Sequence, residues 1–127
     1  MPTAWRDYIE NSLLVTGWLK EAGIYGLTDG SCWAGTECLK TLQPLHVLRL
    51  SEAFIDSAEE LLIGDKRFSC VQQERDVLLG KSTNGSGSCV ICKGSKLLII
   101  SLCDNAQLGN AYSLVSRLVR YLRDRGY

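Results

Sequence analysis

A net charge is the first thing this sequence lacks: fourteen lysines and arginines balance fourteen aspartates and glutamates, so the formal charge is zero. Without a whole-protein field, neither nucleic acid nor an anionic membrane is indicated as the main partner, and any anion binding must come from a local patch. Long apolar runs are also missing, since none approaches the ~20 residues that span a bilayer. Met1 to Arg6 does not show the basic-then-apolar pattern of a secretory signal. The expected setting is therefore soluble, intracellular and cytoplasmic. Histidine occurs once, at His46, with no nearby Ser, Cys or Asp pattern, and there is no G-x-S-x-G. The expectation is a protein that is not an enzyme and uses no cofactor.

Two further motifs are incomplete. Gly80-Lys81-Ser82-Thr83 ends like a phosphate-binding loop, but Arg75 stands where the first glycine belongs. The chain continues into the turn-like Asn84-Gly85-Ser86-Gly87, where that motif requires a helix. Six cysteines are many for 127 residues. Cys70, Cys89 and Cys103 sit in apolar, strand-like stretches where a thiol behaves as a small hydrophobe. Cys89 and Cys92 form C-x-x-C, yet Ser88 to Cys92 alternates like a strand, which sends the two side chains to opposite faces and argues against a redox pair. A zinc site would have to draw on Cys32, Cys38 and His46, and no metal is expected.

A length of 127 residues with 46% hydrophobic content suits one compact core. Ala4 to Leu14 reads as a helix, with Thr3 as its N-cap, Ile9 and Leu13 on one stripe and Trp5 and Tyr8 on the next. Trp18, just beyond, is expected to cover the core. Ala22–Gly26 and Ser31–Gly35 flank Thr28-Asp29-Gly30, a hairpin signal. Pro44 to Asp56 reads as a second helix, with Leu45, Leu48, Ala53 and Ile55 on one side. Leu61 to Ile63, Arg67 to Gln73, Val77 to Lys81, Ser88 to Cys92 and Leu97 to Cys103 read as strands, each joined to the next by a turn too short for a parallel crossover. Gln107 to Arg125 closes the chain as an amphipathic helix ended by Gly126. The sum is one α+β domain over residues 1–127, with an antiparallel sheet of about six or seven strands.

Four short segments carry a family resemblance: Trp5-x-x-Tyr8-Ile9, Asp29-Gly30-Ser31-x-Trp33-Ala34, Lys81-Ser82-Thr83-x-Gly85 and Tyr121-Leu122-Arg123-x-x-x-Tyr127. Taken together, in this order and spacing, they resemble the profilins over essentially the full chain. The resemblance implies N- and C-terminal helices packed side by side on one face of the sheet and a further helix on the other. It also implies a groove for proline-rich ligands made by Trp5, Tyr8, Trp33, Tyr121, Leu122 and Tyr127, with Asn11 at its edge. A polyproline II segment is already stiff and has no internal hydrogen bonds, so aromatic walls that also donate N–H and O–H groups suit it physically.

The same resemblance maps an actin-binding face onto Gln72, Lys81, Gly109, Tyr112, Ser113 and Arg117. Gln72, Ser113 and Arg117 depart from the pattern frequent in animal members. Phosphoinositide binding is implied for the last helix through Arg120, Arg123 and Arg125, with Arg117, Lys93 and Lys96 adding charge. The implied activity is to bind monomeric actin, speed its nucleotide exchange and deliver it to proline-rich partners such as formins, placing the protein at the cytoskeleton. Two other readings stay open: an actin-independent proline-rich or phosphoinositide-binding adaptor, and a trafficking or GTPase-scaffold domain of similar architecture.

Overall fold

In the computed structural model, residues 5–55, 59–85 and 87–127 are described. Seven strands, β1 (Glu21–Gly26), β2 (Cys32–Gly35), β3 (Glu60–Ile63), β4 (Lys66–Gln73), β5 (Val77–Ser82), β6 (Ser88–Lys93) and β7 (Leu97–Cys103), form one sheet. Its order is β2-β1-β7-β6-β5-β4-β3 and each neighbouring pair is antiparallel. The expected α+β class is thus met, with β3 through β7 a continuous meander and the β1–β2 hairpin returning to pair with β7.

The interior strand β7 is buried along its whole length, which is why Leu97–Cys103 reads as a run that is apolar but for Ser101. Its alternate residues feed two cores. Leu97, Ile99 and Cys103 pack with Ile9, Leu13, Ala111, Val115, Val119 and Leu122, which places both chain-end helical segments on one face. Leu98, Ile100 and Leu102 pack with Val47, Leu50, Phe54 and Tyr25 on the other. Cys92 belongs to the first core and Cys89 to the second, so the C-x-x-C pair is split across the sheet as its alternation predicts. Two polar side chains are buried among the described residues, and both are satisfied: Ser101 Oγ donates to the Val90 carbonyl at 2.9 Å, and Ser88 Oγ to Asn105 Oδ1.

Three expectations need correction. The first helical segment begins as α1 (Trp5–Tyr8), continues as a π-helical turn over Ile9–Leu13 and ends in a 3-10 turn at Leu14–Thr16, while the expected cap Thr3 and Ala4 lie outside the described residues. Trp18 is 37% exposed rather than a core lid, because left-handed Gly17 (φ 76°) turns the chain and Leu19 takes the buried position. Helix α2 (Pro44–Glu52) buries Val47 and Leu50, followed by Ala53 and Phe54, and exposes Leu45 and Ile55. A stripe started at Leu45 is rotated away from the one started at Val47, and only the latter meets the sheet. The expected end at Asp56 lies outside the described residues. The last helix, α3 (Leu108–Asp124), comes directly after a 3-10 turn at Asn105–Gln107.

Candidate binding surfaces

Three distant parts of the chain meet in one aromatic cluster. Trp5 of α1 lies 4.9 Å from Trp33 of β2 and 4.9 Å, edge to face, from Tyr127 beyond α3, with Tyr8 at 5.8 Å on its own helix. Trp33 and Tyr127 are 6.5 Å apart. Such pairs contribute about 0.5–1.5 kcal/mol each beyond simple burial. Each of these rings is only partly buried while packing on the core below.

Local backbone devices aim the rings. Opposite β1, Ile24 pairs with Ala34 and Tyr25 with Cys32, so Trp33 is the extra residue of a bulge. That bulge turns both Trp33 and Ala34 toward the terminal helices. The Trp33 indole then lies against Gly26, where a Cβ would stand 3.1 Å from Nε1. The hairpin is tied at Asp29, whose Oδ1 accepts the Ser31 N–H at 2.9 Å. This bond holds the Asp29 carboxyl below its ordinary range. At the other end, Gly126 (φ 96°) ends α3: its N–H donates to the Arg123 carbonyl at 3.0 Å, and the Tyr127 N–H reaches back to Leu122 at 2.9 Å. This is a Schellman turn, and it folds Tyr127 over the helix end, where the Lys96 N–H donates to its main-chain oxygen at 2.5 Å.

The remaining groove candidates are placed differently. Leu122 is 1% exposed and belongs to the core beneath the cluster, a correction to its expected place on the groove surface, since its helical stripe is shared with Val115 and Val119. Tyr121 is 44% exposed, with the Arg125 guanidinium 4.5 Å from its ring centre. Asn11 is exposed on the π-helical turn.

A second surface lies where α3 borders β4 and β5. Strand pairing places Gln72 opposite Leu79, and Lys81 two residues further along β5, so both point to the sheet face that α3 partly covers. Gln72, Lys81, Gly109, Ser113 and Arg117 are exposed, and Tyr112 is half-buried. Gln72 Nε2 donates to Glu74 Oε1 at 2.6 Å, and the Tyr112 phenol donates to Glu74 Oε1 and Oε2 at 2.7 and 2.9 Å. Arg117 Nη2 donates to Ser113 Oγ at 3.4 Å. Sequence reasoning did not single out Glu74, because an acid has no place in a face expected to be basic.

Of the arginines expected to meet phosphoinositides, Arg120 and Arg123 line one cleft, and Arg123 and Arg125 are engaged within the protein. Arg123 bonds Asp76 Oδ2 at 3.0 Å and the Lys93 carbonyl at 2.6 Å, and Arg125 is stacked on Tyr121. Arg120 lines a cleft of about 230 Å³ together with Arg75, Glu74, Asp76 and Tyr112. Lys93 Nζ lies 5.2 Å from the Phe54 ring centre. Among the described residues no group of three His, Cys, Asp or Glu side chains could hold a metal. Burial pushes the Cys92 and Cys103 thiols up to about 12 and about 11, and raises the Cys32 thiol as well although that residue, like Cys38, is exposed.

The fold and the aromatic cluster define a small α+β module built on a two-cored antiparallel sheet. The profilin family model matches residues 3–127, and the chain belongs to the profilin family. Profilin-1 of Dictyostelium discoideum is 28% identical over 129 residues, covering 98% of this chain and 99% of the relative. The structure of Acanthamoeba castellanii profilin IB superposes with a TM-score of 0.86 at 26% identity, covering 98% of this chain and all of the other. At lower identity the fold is shared with mouse profilin IIa in complex with a double repeat from the FH1 domain of mDia1 (TM-score 0.70, 21% identity over 98% of this chain and 100% of that one). It is also shared with LokiProfilin2 in complex with rabbit actin (TM-score 0.72, 17% identity over 94% of this chain and 98% of that one).

Proposed function

We propose that this protein binds monomeric actin through the surface around Gln72, Lys81, Gly109, Tyr112, Ser113 and Arg117, and proline-rich segments through Trp5, Tyr8, Trp33, Tyr121 and Tyr127. The observation that carries this reading is the convergence of Trp5, Trp33 and Tyr127 from three separate elements onto one partly open aromatic surface. A polyproline II ligand loses little conformational freedom on such rings. The complexes of mouse profilin IIa and LokiProfilin2 support the pairing of the two ligands with this fold.

The two surfaces share α3, which carries Tyr121 toward its C-terminal end and Gly109, Tyr112, Ser113 and Arg117 before it, and otherwise use different elements, α1 and β2 against β4 and β5, which lets one molecule hold actin and a proline-rich partner together and pass the first to the second. Faster nucleotide exchange needs no catalytic residue here. A binder that prefers actin with an open nucleotide cleft shifts that equilibrium by its differential affinity. Phosphoinositide headgroups would meet Arg120 beside Arg75, since Arg123 and Arg125 are engaged within the protein. The alternative of an actin-independent adaptor is favoured by Ser113 and Arg117, whose side chains face each other on α3.

Titration into fluorescently labelled monomeric actin, following release of bound nucleotide, separates the two. The expected result is saturable acceleration that Lys81→Glu, a charge reversal at an exposed strand residue, weakens at least tenfold, about 1.4 kcal/mol. No binding at tens of micromolar would favour the adaptor, provided that a proline-rich peptide still perturbs the tryptophan fluorescence.

A further inference from the structure

The β4–β5 turn places one carboxylate between two residues of the actin surface. Glu74 closes its own turn, its N–H donating to the Val77 carbonyl at 2.8 Å. Its side chain then accepts from Gln72 on β4 at 2.6 Å and, through both oxygens, from Tyr112 on α3, 38 residues away in sequence. We propose that Glu74 is the positioning residue of the actin-binding surface, holding Gln72 and Tyr112 as one preorganised unit. The inference rests on the actin reading above and adds to it a residue that contacts both members of the unit.

A glutamine and a tyrosine free on separate elements would each lose rotamer freedom when a partner docked, and a shared acceptor removes that loss in advance. The acid also gives the surface a polarity of its own. With Lys81 on β5 and Arg117 on α3 also exposed, a docking partner meets a mixed pattern of charge rather than a uniform basic field, and such patterns fix orientation. The hydrogen bond to Glu74 raises the Tyr112 phenol above its ordinary range. Cys92 adds to that shift, Arg120 opposes it, and Arg75, Asp76 and Arg123 line the same cleft.

The test compares actin affinity for the wild type, Glu74→Ala, Glu74→Gln, Tyr112→Phe and the Glu74→Ala/Tyr112→Phe double variant, alongside a pH titration of ¹³C-labelled Tyr112 in each tyrosine-containing form. Y112F should weaken actin binding about fivefold and E74A, which also frees Gln72, about tenfold, and the double variant should be no weaker than E74A, since the phenol has no acceptor left to lose once Glu74 is gone. E74Q keeps an acceptor for the phenol and should recover most of the affinity. In E74A the Tyr112 phenol should titrate at lower pH than in the wild type, while proline-rich peptide binding stays unchanged. Actin affinity within twofold of wild type for E74A, multiplying effects in the double variant, or an unmoved Tyr112 titration would each overturn the proposal. Loss of actin binding already in the wild type would instead overturn the actin reading and take this proposal with it.

Discussion

At the aromatic surface Trp5, Trp33 and Tyr127 touch one another ring to ring, whereas at the proposed actin surface Gln72 and Tyr112 meet through the carboxylate of Glu74. Both surfaces join residues far apart in sequence. The first is set by the bulk of its members and by backbone devices, a bulge at Trp33 and a left-handed residue at Gly126. The second is set by donors and acceptors that any small shift of the β4–β5 turn would separate. Packing tolerates changes in solvent conditions that titrate polar contacts, so the two should fail under different perturbations.

The largest separation should come from Trp5→Ala. Trp5 is the ring in contact with Tyr8, Trp33 and Tyr127 alike. Its loss should weaken a proline-rich peptide at least thirtyfold, roughly 2 kcal/mol. Stability should fall by about 2 kcal/mol, less than the 3–5 of a fully buried Trp because Trp5 is only partly covered. Calorimetric titration with the peptide measures the first and urea unfolding the second. Actin affinity should stay within a few-fold of wild type; an equal fall at both surfaces in a folded variant would mean that they are not separate.

A smaller effect is expected of Gly126→Ala, which leaves every ring in place chemically. An L-residue forced to a φ of 96° is strained by about 1 kcal/mol or more. The strain should loosen the turn that returns the Tyr127 N–H to Leu122. Thermal unfolding should shift down by several degrees, and peptide affinity should drop a few-fold with no change at actin. Unaltered peptide binding would show that Tyr127 does not need the Schellman turn to take part.

The aromatic surface was the more legible of the two, for a physical reason. Trp5, Trp33 and Tyr127 are large and amphipathic, and Gly126 just beyond a helical stripe announces a C-terminal cap. The strand at Leu97–Cys103 is equally clear, not from a period, since both its faces are buried, but from a short apolar run bounded by turn residues. Misplacements arose where local period underdetermines orientation. On α2 the stripe read from Leu45, Leu48, Ala53 and Ile55 is not the one that contact with the sheet selects, which starts at Val47. Leu122 belongs both to a groove motif and to the stripe Val115, Val119, Leu122, and burial resolves it as core. Glu74 left no sequence signal at all, because its role is defined by Tyr112, a partner that only the tertiary fold brings within 2.7 Å.

The smallest expected effect is an acid-driven loosening of the hairpin beneath Trp33. Asp29 accepts the Ser31 N–H as a carboxylate, and that bond lowers its folded pKa below the ordinary 3.8. A group depressed in the folded state contributes stability that is fully present above the unfolded value. The contribution declines as pH falls past 3.8 and is lost through the lower folded value. Asp29 is exposed, so the change should be local rather than global unfolding. The Ser31 amide, followed by NMR between pH 5 and about 2, should shift and exchange faster with a midpoint below 3.8, while the Gly17 amide, bonded to the Leu14 carbonyl rather than to a carboxylate, should not change with it. In Asp29→Asn the acceptor oxygen remains but cannot titrate, so the Ser31 transition should vanish with the turn intact. A Ser31 midpoint at or above 3.8 in the wild type would show that the carboxylate gains nothing from this bond, and the turn at Trp33 would then be held by the backbone alone.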